Sequence, residues 1–178
     1  MKALIFTCSF SIMLSIGAVA FSADALNREY PWGTPSFGLT SKIWVSKHKF
    51  ERGTPINFWC IHKSVSETAF SIWDSNFWPN HVIRLLDEKG NEVQRTPRGD
   101  KAIREFSPGG ERGKNVEIVL GHGQEDEGFQ WDLTKYFHLE APGLYSLQIT
   151  YEEYQESTRK NRAWKGKCPS NVIVFEVE

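Results

Sequence analysis

An antiparallel two-sheet β-sandwich is the fold class that the sequence predicts, and three observations predict it. Apolar residues recur at every second position in a series of short segments, the period of a strand with one buried face. Gly, Pro, Asn and Asp punctuate those segments as tight turns do. No segment keeps apolar residues at helical spacing over several turns.

The segments follow in chain order. "GLTSKIWV" (38–45) sets Leu39, Ser41, Ile43 and Val45 against Thr40, Lys42 and Trp44. "TPINFWCIHKS" (54–64) puts Ile56, Phe58 and Cys60 on one face and Asn57, Trp59 and Ile61 on the other; Pro55 suits a strand entry, where no ladder bond is lost. "ETAFSIWD" (67–74) offers Phe70 and Ile72. "HVIRLLDEKGNEVQR" (81–95) reads as a hairpin, with Gly90 and Asn91 available for positive φ. "TPRGDKAIREFSPGGERGK" (96–114) is charged and glycine-rich, and reads as a long exposed loop. "NVEIVLGHG" (115–123) supplies Val116, Ile118 and Leu120. "GLYSLQITYEEY" (143–154) alternates most clearly, with Tyr145, Leu147, Ile149 and Tyr151 inward. "NVIVFEV" at the end carries Ile173, Phe175 and Val177, and is expected to pair antiparallel with the 143–152 strand.

The first residues have the parts of a secretory signal: Lys2, an apolar run from Ala3 to Ile16, then small residues with A-x-A patterns at Ala18–Ala20 and Ala23–Ala25. The expected organisation is a signal peptide at 1–23, a lead-in at 24–37 and one domain at 38–178, exported to a periplasmic or extracellular space. No other segment approaches the length of a membrane span, so no membrane association is expected after cleavage. Formal net charge is −1, with 21 basic against 22 acidic residues and no basic block, which argues against nucleic acid as a partner. Aromatics at 13%, with seven Trp, are far too many for a disordered chain.

Cysteine use carries a structural expectation. Once the leader is removed, taking Cys8 with it, Cys60 and Cys168 remain, an even pair in an exported chain, and a disulfide is expected between them. Closing that long loop would stabilise the fold by about 2–4 kcal/mol. The alternative is two buried free thiols.

Chemistry-bearing patterns are sparse. His48, His62, His81, His122 and His138 show no recognised ligand spacing, and no nucleophile elbow, phosphate loop or dinucleotide-binding glycine pattern is present. No catalytic residue, no metal and no cofactor are therefore expected. "GHGQEDEG" (121–128) gathers His122, Glu125, Asp126 and Glu127, oxygen-rich enough to suggest calcium, but it fits no EF-hand pattern and reads as a solvated turn. Aromatics stand out instead. "SIWDSNFWPNH" (71–81) places Trp73, Phe77 and Trp78 among turn residues, while Trp44 and Trp59 point away from the inferred core face. These five form the candidate binding surface, set against the ordinary reading in which they cap the core.

Three stretches resemble secreted bacterial immunoglobulin-like domains. "KHKFERGTPINFWC" is similar to their aromatic, Gly-x-Pro turn and strand. "WDLTKYFHLEAPGLYSLQITY" is similar to their passage from a "DL" pair to Pro-Gly-x-Tyr, and "AWKGKCPSNVIVFEV" to their closing strand. The pattern also resembles the β-domain that precedes deuterolysin-like metallopeptidases and, more faintly, the intracellular proteinase inhibitor family. The resemblance implies an immunoglobulin-like sandwich of seven to nine strands; with no His-Glu-x-x-His, it implies no peptidase activity. Tyr145, after Pro142-Gly143, would bury its ring and turn its hydroxyl back to the turn. The expected function is a non-catalytic binding or scaffolding domain with a protein partner. The alternatives are a carbohydrate-binding module using the loop aromatics, or a peptidase inhibitor using 96–114.

Overall fold

The computed structural model describes residues 30–74, 77–106, 116–154 and 162–178; the expected signal at 1–23 lies outside the described residues. The fold is all-β. Among the described residues ten strands run in chain order: β1 (Leu39–Val45), β2 (Lys49–Phe50), β3 (Asn57–Ser64), β4 (Phe70–Asp74), β5 (His81–Asp87), β6 (Val116–Leu120), β7 (Phe129–Asp132), β8 (Gly143–Glu153), β9 (Gly166–Pro169) and β10 (Ile173–Val177). One sheet has the order β1-β3-β7, and the facing sheet β2-β10-β8-β5 with β9 joined to the far end of β8. A two-stranded β4–β6 ribbon completes the fold. Every pairing between these named strands is antiparallel except that of β2 with β10.

Two apolar clusters fill the interior. The larger lies between the two main sheets and takes Ile43 and Val45 from β1, Phe58 and Cys60 from β3, Leu85 from β5, Tyr145, Leu147 and Ile149 from β8, and Ile173, Phe175 and Val177 from β10. The smaller joins Leu39, the ribbon residues Phe70, Ile72 and Leu120, and Tyr151, Trp164 and Cys168. Strand β8 serves both, because its inward side chains continue past Ile149 to Tyr151.

Several local expectations are realised. The hydroxyl of Tyr145 donates to the Ala141 carbonyl at 2.7 Å while its ring stacks on Phe175, centroids 5.8 Å apart. Strand β10 pairs antiparallel with β8, Phe175 opposite Tyr145. The turn after β5 has Gly90 at φ 80, and the Gly90 amide donates to the Asp87 carbonyl at 3.0 Å. Asn91 keeps negative φ and donates from its backbone to the Asp87 carboxylate at 2.8 Å instead.

The stretch 96–114 departs from the loop expected there. Residues Pro97–Phe106 form helix α2, and 107–115 lie outside the described residues. Thr96 caps the helix, its Oγ1 accepting from the Gly99 amide at 3.1 Å, and proline occupies the first helical position, where it forfeits no bond. Among the described side chains of the helix, Ala102 and the half-buried Ile103 face the large cluster, a sparse apolar pattern that shows no helical period in the sequence.

Tyr151 ties the ribbon to the main sheet. Fully buried, its hydroxyl accepts from the Trp73 amide and donates to the Trp73 carbonyl, both at 3.0 Å. Tyr151→Phe strands both backbone groups of Trp73, so denaturant unfolding should show a loss of about 1–3 kcal/mol. Tyr145→Phe, which leaves only the partly accessible Ala141 carbonyl unpaired, should cost about 1 kcal/mol.

Candidate functional site

The alternation of β3 runs on past the predicted core face. Phe58, Cys60, His62 and Ser64 all point inward and are buried, so a Cys-x-His pair shares one face of the strand. In register, β1 sets Ser41 opposite His62. On the facing sheet, β8 sets Tyr151 between His81 of β5 and Cys168 of β9. Sheet packing then brings the two rows together.

The resulting cluster is closed to solvent and hydrogen-bonded. Ser41 Oγ lies 2.7 Å from His62 Nδ1, and His62 Nε2 lies 2.9 Å from His81 Nε2. Ser41 Oγ also donates to Cys168 Sγ at 3.3 Å, and the Cys168 thiol donates to the Leu39 carbonyl at 3.3 Å. In that arrangement Ser41 accepts from Nδ1–H of His62, and Nε2–H of His81 donates to the bare Nε2 of His62. Ligand atoms of Cys60, His62 and His81 lie within 4.8 Å of one another. Tyr151 packs against both imidazoles, centroids 4.8 Å and 5.3 Å away, and Phe129 stands edge-on to His81 at 5.5 Å.

Burial sets the protonation states. It lowers His62 from 6.5 to about 3, which keeps the imidazole neutral, and it pushes both thiols upward. Asp126 is raised from 3.8 to about 7 by burial, against the pull of the His62 amide that donates to its Oδ1 at 2.9 Å. Gly128 fixes the end of the loop that carries Asp126: it sits at φ 67, where a Cβ would meet the Cys60 carbonyl at 2.8 Å.

Cys60 and Cys168 are buried free thiols, the alternative to the expected bridge. Each packs into its own apolar cluster, and Cys168 spends its sulfur on Ser41 and Leu39. Nor do the aromatic candidates make one exposed surface. Trp44 and Trp59 sit opposite each other and stack, centroids 5.9 Å apart, but Trp44 is only 5% exposed and Trp59 is half-buried. Trp73 and Trp78 are core residues. Phe77 opens the one-turn helix α1 (Phe77–Asn80), and its side chain lies outside the described residues. In the acidic loop, Glu125 pairs with Lys63 at 3.5 Å and Asp126 with the β3 backbone, so these carboxylates do not converge.

Two clefts flank helix α1. One, of about 140 Å³, is lined by Trp78, Asn80, His81, Arg95, Ile103 and Glu152. The other, of about 470 Å³, lies beside α2 and is lined by Trp78, Trp131, Tyr136, Arg98, Lys101 and Glu105. Its aromatic floor is interlocked: Tyr136 lies 4.8 Å from Trp78 and 5.5 Å from Trp131, ring centre to ring centre. Arg98 sits over the Tyr136 ring at 5.3 Å. Trp131, Tyr136 and Arg98 were not among the expected binding residues. His62 and His81 show no ligand spacing along the chain and Ser41 reads only as a strand residue, yet the fold brings the three together; a histidine at an inward position of β3 is the signal for it.

No protein-family model matches the chain, and no curated protein matches it. Among solved structures, the chain is similar at TM-score 0.37 and 16% identity to a mutant β-glucosidase from Listeria innocua in complex with laminaribiose, covering 84% of this chain and 17% of that one. The same TM-score and identity hold for the β-glucosidase alone and in complex with isofagomine, with 83% and 17% covered.

His62 and Asp126 make opposite contributions to pH dependence. The depressed His62 stabilises the fold above pH 6.5, and that contribution is lost as pH falls toward 3. The elevated Asp126 does the reverse: its contribution is complete below 3.8 and lost as pH rises through 7. Between pH 4 and 6.5 the two should nearly cancel. Denaturant unfolding of Asp126→Asn should therefore lose about 1.4 kcal/mol relative to the wild type for each unit of acidification across that window, and His62→Gln should gain a similar amount.

Proposed function

We propose that this chain is an exported, non-catalytic, immunoglobulin-like binding domain, and that it takes a protein partner in the cleft beside α2. The observation that carries this reading is the floor of Trp78, Trp131 and Tyr136 under a rim of Arg98, Lys101 and Glu105. Trp, Tyr and Arg dominate the binding energy of protein interfaces, in pockets walled against water. Trp131 is the half-buried member of the floor and offers an apolar face to an incoming side chain. Lys101 is paired with Glu105 at 3.6 Å, and both are exposed enough to orient a charged partner group. Carbohydrate is the second reading, favoured because Trp78, one of the aromatics expected to stack on sugar, does line this cleft. The inhibitor reading is weakened, since the segment expected as its loop is helical through Phe106.

A photo-crosslinker placed at Lys101 should trap one protein in the exported fraction of the native host, and a crosslinker at Lys47 should not. Trp131→Ala should weaken binding of the recovered partner about 30-fold or more, as expected for an interface anchor. Binding to a polysaccharide panel that is abolished by Trp131→Ala, with no protein trapped at Lys101, would replace the protein reading by the carbohydrate one.

A further inference from the structure

We infer that Cys60, His62 and His81 form a copper(I) site buried between the two main sheets. Three soft or borderline ligand atoms from two facing strands already lie within 4.8 Å of one another. Thiolate and imidazole together select copper or zinc over the hard cations.

Little rearrangement is needed. A three-coordinate metal bonded to two imidazoles at about 2.0–2.1 Å holds their nitrogens about 3.5 Å apart at trigonal angles, and the two Nε2 atoms stand 2.9 Å apart. The rings separate by about 0.6 Å and the metal replaces the shared proton. That proton moves to Nδ1 of His81, a change of tautomer that keeps the ring neutral. The surroundings also prepare the site. Ser41 engages Nδ1 of His62 at 2.7 Å, which leaves Nε2 for the metal, and metal-ligating imidazoles characteristically have their second nitrogen held in this way. His81, the most exposed of the three at 5%, also lines the smaller cleft, which puts that side of the site nearest the surface.

Charge and coordination number choose the metal. Cys60 and His62 are essentially inaccessible and His81 is 5% exposed, so a net charge at the centre would be costly. Copper(I) binding exchanges the Cys60 thiol proton for the metal: a Cu–S and two Cu–N bonds form, the S–H bond breaks, one proton leaves to solvent, and no oxidation state changes. The product is neutral, one monovalent cation against one thiolate. Zinc would leave a positive charge and asks for a fourth ligand, whereas the cluster among the described residues supplies three. Cys168 stays outside that cluster, occupied with Ser41 and Leu39.

Anaerobic titration of the full exported chain with copper(I), in competition with a chromophoric copper(I) chelator, tests the assignment. One equivalent should be retained per chain. Cys60→Ser and His81→Gln should each weaken retention by more than about 100-fold, and Ser41→Ala, which removes the contact that positions His62 together with the bond to Cys168 but no metal ligand, by about 10–100-fold. X-ray absorption on the copper-loaded wild type, which does not depend on any variant folding, should show one sulfur and two nitrogens. No retained copper, retention unchanged in Cys60→Ser, a copper shell without sulfur, or tighter retention of zinc in a parallel titration would each overturn the assignment.

Discussion

Strand β8 is the constraint on which the rest of the structure depends. Its eleven residues pair with β5 along one edge and with β10 and then β9 along the other. Because side chains alternate strictly, choosing the inward face once commits Tyr145, Leu147, Ile149 and Tyr151 together; a slip of one residue would turn all four to water. Burying side chains of this size contributes about 1.5–3 kcal/mol each, more than any surface pairing could restore. The same strand decides what lies between the two clusters, for it holds His81 on one side of Tyr151 and Cys168 on the other.

That junction is polar where the interior on either side is not. The line from Leu39 through Cys168, Ser41 and His62 to His81 has a donor for each acceptor, and each link carries one proton. A satisfied chain of this kind is tolerable in a core; interrupting it leaves a desolvated acceptor at a cost of about 1–3 kcal/mol. Two histidines are an expensive way to fill such a layer, since burial denies both rings the water they would otherwise bind. Apolar residues of similar size would fill it more stably, so the histidines call for a role beyond packing.

How much of this was legible depended on the distance along the chain over which each feature is decided. Strands β1, β3, β8 and β10 follow from alternation alone, and the Tyr145 hydroxyl contact from a turn four residues away. Helix α2 was hidden because Pro97, Gly99 and Asp100 read as turn chemistry, while the described side chains that it packs on the core are the small Ala102 and the half-buried Ile103. Burial of Trp44, Trp73 and Trp78 is decided by elements far off in sequence, which local pattern does not report. The Cys60–His62–His81 cluster was half legible: Cys60 and His62 lie two apart on a recognised strand, but His81 arrives from the other sheet.

Helix α1 is where the two proposals meet. Trp78 lines both clefts, and three residues on His81 enters the buried cluster. Between them Asn80 is held through its side-chain amide to the buried Glu153 at 2.5 Å, at the far end of β8. This turn is therefore pinned at the strand that organises the fold, while its neighbours face a binding cleft and a ligand cluster. A displacement of Trp78 large enough to admit a partner side chain alters the wall of the smaller cleft as well, because Trp78 lines both. The two sites are thus structurally contiguous through five residues, Phe77 to His81, which the sequence marks only as a turn.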